Sequence, residues 1–216
     1  ENRMRFSLLV VEKVREAVGP DFPIEFRMSG SECIPGGYDI DEAVEMAKMI
    51  DGKVDIIHVS AGIHENNDVF VITHPSMFIE HGCNVQYAAE IKKHVKTPVA
   101  ALGGINDVDM MEEIIASGQA DIVEIGRALL ADPYLPKKAL EGNEEDITPC
   151  LRCYECFGET GKSETVKCTV NPTMGQQLAC KFPLPRPGKK KRVLVAGGGP
   201  AGMEAAITAA GRGHMV

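Results

Sequence analysis

Cys150-Leu151-Arg152-Cys153-Tyr154-Glu155-Cys156, with Cys168 after eleven intervening residues, divides this 216-residue chain into two kinds of sequence. Three cysteines in seven residues, with a fourth close behind, are hard to explain as packing. Thiolates are soft ligands, and four of them suit an iron–sulfur cluster or a zinc ion. The tight C-x2-C-x2-C run lets one loop offer sulfurs to three corners of a cube, and Cys168 closes the fourth from a second segment. Cys150, Cys153, Cys156 and Cys168 are therefore candidate ligands of a 4Fe–4S cluster. Structural zinc more often takes two separate knuckles or a Cys/His mixture. Zinc stays open as an alternative, as do ordinary thiols.

Residues 1–145, before the cysteines, alternate helix and strand. Met4, Leu8, Val11, Val14 and Val18 recur at helical spacing, and Gly19-Pro20 stops the pattern. Strands are predicted at Ile24–Ser29, Val54–Ser60, Pro98–Leu102 and Asp121–Ile125. Asp39, Asn84 and Asp107 stand at the N-cap positions of the helices between them, and Asp39 with Glu42 reads as a capping box. Residues 61–82 read as one long loop, a length that in a compact domain goes with function. Four successive βα units predict a parallel sheet with helices outside, the C-terminal half of a (β/α)8 TIM barrel. In such barrels the chemistry lies in the loops after the strands, and a phosphate site uses the loops after the last two. Here those loops begin with Gly103-Gly104 and Gly126-Arg127. Glycine lets backbone N–H groups approach a phosphate, and Arg127 offers a fork of donors. Plain tight turns are the alternative.

Residues 146–182 form the cysteine segment, and 183–216 a linker leading into a new unit. Pro183–Gly188 is proline-rich, and Arg192–Ala196 reads as a strand. It runs into Gly197-Gly198-Gly199-Pro200-Ala201-Gly202 and a helix from Met203 to about Ala210. Strand, G-x-G-x-x-G, helix is the opening of a Rossmann-like dinucleotide-binding fold, with Gly197, Gly199 and Gly202 at the three glycine positions. The acidic residue expected on the ribose falls beyond Val216. Net charge is −8, which argues against nucleic acid. No apolar run approaches a membrane span. Clustered cysteines fit metal ligation in a reducing, cytoplasmic setting, while Cys33, Cys83 and Cys180 read as ordinary thiols.

The motifs ENRMRF (1–6), EFRMS (25–29), HVSAGIHE (58–65), ALGGIND (101–107), IGRALLADP (125–133), CTVNP (168–172) and VLVAGGGPAG (193–202) occur in this order. Taken together the chain resembles the iron–sulfur branch of the old yellow enzyme-like NADH:flavin oxidoreductases. That branch includes 2,4-dienoyl-CoA reductase, enoate reductases and trimethylamine dehydrogenase. The resemblance covers essentially the whole chain. It implies an FMN-bearing barrel, a 4Fe–4S cluster, and a region binding FAD and NAD(P)H. Arg27 would lie against the flavin ring, while Gly104 and Arg127 serve its phosphate. The four cysteines would carry the cluster. The stretch Gly62-Ile63-His64-Glu65 resembles the loop that carries a catalytic histidine in dienoyl-CoA reductases, so His64 is the candidate to hydrogen-bond the substrate carbonyl or deliver a proton. The small-molecule partner implied is a substrate with an activated C=C bond, and a homo-oligomer is open. An amine oxidoreductase of the trimethylamine type and a non-catalytic electron-transfer or zinc scaffold are the competing readings. The resemblance also implies that four further barrel strands and most of the FAD/NAD(P) region belong to a longer protein, of which this chain is an internal part.

Overall fold

The computed structural model describes residues 2–160, 165–176 and 187–216; Cys180 and residues 183–186 of the expected linker lie outside them. The chain divides into two compact units, Glu1–Pro172 and Thr173–Val216. The first unit alternates α1 (Arg5–Val18), β1 (Glu25–Ser29), α2 (Ile40–Ile50), β2 (Ile56–Ser60), α3 (Asn67–Thr73), α4 (Val85–Lys92), β3 (Val99–Ala101), α5 (Val108–Ala116) and β4 (Ile122–Val123). After these come α6 (Arg127–Ala131), α7 (Leu135–Leu140) and α8 (Glu155–Thr160). The strands pair in parallel in the order β1-β2-β3-β4. This is the half-barrel arc that the alternation calls for.

Strand side chains alternate between the two faces of the sheet. Phe26, Met28, Ile57 and Val59 go to the helix side and share one core with Ala43, Ala47 and Ile50 of α2 and Ala88 and Ile91 of α4. Glu25 and Arg27 of β1 and His58 of β2 take the other face, the inside of the barrel. Asp39 and Asp107 cap as expected, accepting from the backbone N–H of Glu42 and Met110.

The structure departs from the sequence reading at four places. The segment 61–82 contains α3, capped by the Asn66 side chain, because Val69 to Ile72 is too short an apolar run to show a period. Asn84 does not cap α4; its side chain is buried, and its amide donates to the Ile72 carbonyl instead. Val14 and Val18 are exposed, so the buried stripe of α1 narrows to Val11, with Met4 just ahead of it and Leu8 partly covered. In the second unit the strand expected at Arg192–Ala196 is an isolated parallel bridge between Arg192 and Met215. Its backbone partners among the described residues are confined to Met215, which accepts from Val193 N–H and donates to the Lys191 carbonyl.

The glycine turn of the second unit is tightly packed. Gly197 has φ +124°, and a Cβ on Gly202 would lie 2.0 Å from the Gly197 carbonyl oxygen. Helix α9 (Pro200–Gly211) follows directly. No helix among the described residues is long and apolar enough to cross a membrane.

Candidate functional site

A cavity of about 450 Å³ opens at the carboxyl ends of β3 and β4. Its walls are residues 102–106 and 124–128, and Arg27, His58, Thr73, His74 and Pro75 line it too, together with Leu130, Phe157 and, from the cysteine loop, Cys150 and Arg152. Gly103 and Gly104 hold φ +130° and +70°. A Cβ on Gly103 would come 2.7 Å from Asn84 Cβ, and one on Gly104 would come 3.0 Å from Arg152 Nη1. Both glycines are thus demanded by the fold of the wall. Gly126 is under neither constraint, since its φ is −109° and a Cβ there would meet nothing within 4 Å.

Arg127 follows Gly126 at the start of α6. Its Nη2 donates to the Pro75 carbonyl at 2.7 Å, and its Cζ lies 5.6 and 5.7 Å from the ring centres of Tyr154 and Phe157. Its Nη1 is buried without a protein partner. A guanidinium clamped on one side with a spare buried donor on the other fits a phosphate, whose oxygens would satisfy that donor. Arg27 lines the same cavity from β1, opposite His58 in the β1–β2 register.

His64 is exposed and does not itself line the cavity. Its Nε2 lies 3.1 Å from Nε2 of His74, which does. One nitrogen of that contact must donate and the other accept, so the two rings cannot both be cations. Burial, with the charges of His64, Arg127 and Arg27, pushes His74 down to about 4. His74 is therefore the neutral partner. The rings of Phe70 and Phe157 pack against it at a tilt, with centroids 4.8 and 4.7 Å away. His74 thus sits in a half-buried aromatic setting, for which residues 61–82 alone carry no signal.

Cys150, Cys153, Cys156 and Cys168 line one small pocket together with Arg127, Arg152, Tyr154 and Thr169. The loop is pinned to the barrel on several sides. Asn106 Nδ2 donates to the Cys150 carbonyl at 2.8 Å, Arg152 Nη1 to the Ile79 carbonyl at 2.8 Å, and Tyr154 Oη to the His74 carbonyl. Arg152 and Tyr154 take left-handed φ values of +55° and +66°, on either side of Cys153. Two such residues cost roughly 1–2 kcal/mol each, which the pinning offsets. Among the described residues, no three of these sulfurs lie within 4.8 Å of one another, and the one set of three ligating groups that close is Glu25, His58 and Glu124. Four soft sulfur donors suit an iron–sulfur cluster or a zinc ion.

The glycine-walled cavity thus lies at the strand ends of a parallel half barrel, with the cysteine loop pinned against the same end. The chain belongs to the NADH:flavin oxidoreductase / NADH oxidase family, whose profile matches residues 1–146. It is 46% identical over its whole length to an NADH oxidase of Thermoanaerobacter brockii and covers 33% of that protein. It is 35% identical, again over its whole length, to a cinnamate reductase of Clostridium sporogenes, covering 34% of it. Among solved structures, a 2-naphthoyl-CoA reductase in complex with 2-naphthoyl-CoA superimposes with TM-score 0.90 at 36% identity, over 99% of this chain and 32% of that one. A histamine dehydrogenase from Rhizobium sp. 4-9 follows at TM-score 0.87 and 30% identity, over 99% of this chain and 31% of that one. The chain spans about a third of the length of these relatives. Its relatives are oxidoreductases, and the α/β half barrel is theirs.

Proposed function

We propose that the protein carrying this chain is an NAD(P)H-dependent ene-reductase acting on an activated C=C bond in an enoate, enone or enoyl-CoA. The observation that carries this reading is Arg127, which has a buried Nη1 without a protein partner and lines both the glycine cavity and the cysteine pocket. One residue thus joins a phosphate-holding cavity to a four-thiolate site, the arrangement an FMN beside a 4Fe–4S cluster requires. The relatives named as a cinnamate reductase and a 2-naphthoyl-CoA reductase support the substrate class.

When bound, FMN would supply the hydride, and the cluster would supply a one-electron relay to it from FAD held at Gly197, Gly199 and Gly202. The chain's own residues do the rest. Gly103, Gly104, Gly126 and Arg127 hold the FMN phosphate. Arg27 sets a cation in the cavity wall, where negative charge on a flavin ring is stabilised. Cys150, Cys153, Cys156 and Cys168 hold the cluster in a reducing, cytoplasmic setting. His64, with its Nε2 against the neutral His74, donates to the substrate carbonyl oxygen or delivers the proton that follows the hydride.

The similarity to a histamine dehydrogenase favours an amine oxidoreductase as the second reading. Steady-state kinetics separate the two. The reductase reading expects NAD(P)H oxidation coupled to loss of the C=C bond. It also expects His64→Ala to slow that reaction by about 10²-fold while FMN reduction by NAD(P)H survives. Amine oxidation without C=C reduction, or a parent rate in His64→Ala, overturns it.

A further inference from the structure

Glu25 opens β1, His58 lies in the middle of β2 and Glu124 follows β4, and the three meet on the inner face of the barrel. His58 Nδ1 lies 2.6 Å from Glu25 Oε1 and 2.8 Å from Glu124 Oε2. The imidazole is buried, with 6% of its surface exposed, and its Nε2 has no partner. His58 and Glu124 line the cavity described above.

The proton positions follow from this geometry. A buried Nε2 without an acceptor tolerates a lone pair far better than an N–H, and a cationic N–H least of all. His58 is therefore neutral, with its single proton on Nδ1. Burial pushes it the same way, against the pull of Glu25. One N–H cannot satisfy two carboxylates at 2.6 and 2.8 Å, and two ionised carboxylates within 4.8 Å of each other repel. A second proton must lie between them.

We propose that Glu25, His58 and Glu124 form a proton-holding site in the cavity wall, with one exchangeable proton shared by the two carboxylates around a neutral imidazole. The charged groups facing it are few. β1 brings Arg27 beside Glu25, β3 brings the uncharged Ala100 opposite His58, and Glu124 follows β4. Counting Arg27, the two carboxylates and the shared proton, the wall is neutral with the proton and carries one negative charge without it. Burial and the neighbouring Glu25 raise Glu124 to about 7, so this change falls near neutral pH. A divalent cation in place of the proton fits worse. Metal on Nδ1 would force the hydrogen onto Nε2, where ligating histidines need an acceptor and none exists here. It would also add two positive charges beside Arg27. The connection to a cofactor rests on the FMN reading above: an anionic phosphate or flavin in the cavity would hold the proton more tightly.

Infrared spectroscopy of the full-length protein, with glutamate isotopically labelled, tests this directly. The parent should show a protonated glutamate carboxyl at pH 6 that titrates near neutrality and disappears in Glu124→Gln. Histidine ¹⁵N spectra should show His58 as the neutral Nδ1–H tautomer. No protonated carboxyl at pH 6 in the parent overturns the proposal, whatever the variants do. So does one bound divalent metal per chain that is lost in His58→Gln. Saturating the apoprotein with FMN should shift the titration to higher pH. FMN that binds without shifting it removes the connection to the cofactor, and an apoprotein that binds no FMN overturns the functional reading while the proton site stands.

Discussion

His74 and Glu124 give the stability of the barrel opposite slopes with pH. The fold holds His74 at about 4 against an ordinary value of 6.5, so between those values the unfolded chain binds the extra proton. Its contribution is complete above pH 6.5 and is lost as pH falls toward 4. Glu124 stands at about 7 against 4.5, so there the folded chain binds more protons, and stability falls as pH rises from 4.5 to 7. Denaturant unfolding of the full-length protein across pH 4–8 should show His74→Gln with a flatter acid limb and Glu124→Gln without the decline toward neutrality. Parallel profiles for parent and variants would show that neither group is perturbed by the fold. The same two residues mark what a sequence cannot display. Arg127 and the cysteines stood out in the sequence because Arg127 follows a strand end and the cysteines keep a fixed local spacing, whereas Arg27, in the middle of β1, came only from the family resemblance. Residues 25, 58 and 124 are brought together only by the register of the parallel sheet, and His74 gains its environment from Phe157, 83 positions later.

At the scale of elements, the cavity wall depends on the turn after β3. Gly103 is held at φ +130°, where side chains are strained, and a Cβ there would overlap buried Asn84. Gly103→Ala should destabilise the protein by about 2 kcal/mol or more and lower FMN content. Gly118, at φ +75° in open space, supplies the control: Gly118→Ala should cost about 1 kcal/mol and leave FMN content unchanged. Equal denaturant midpoints for the two variants would show that the close packing against Asn84 is not what the turn requires. Helix α3 explains why the loop over residues 61–82 is ordered enough to matter. It places His74 at its C-terminal end, against Tyr154 of the cysteine loop, so the loop expected to carry the chemistry is clamped by the segment expected to carry the cluster. Nothing in either stretch alone announces that contact.

For the whole molecule, β1 and β4 are the edges of the four-stranded sheet, each with one side unpaired among the described residues. Unpaired edges recruit other strands. The 216 residues expressed alone should therefore associate or aggregate in size-exclusion chromatography, and a monodisperse monomer binding FMN at full stoichiometry would contradict that expectation. The central claim, that the glycine cavity holds FMN and the four thiolates hold a 4Fe–4S cluster, is met most directly by chemical analysis. Iron, acid-labile sulfide, zinc and FMN should be measured per chain in the full-length protein purified without oxygen. About four irons and four sulfides with about one FMN in the barrel are expected, and loss of iron in Cys153→Ser. Zinc without sulfide, or a barrel with no FMN, would contradict it.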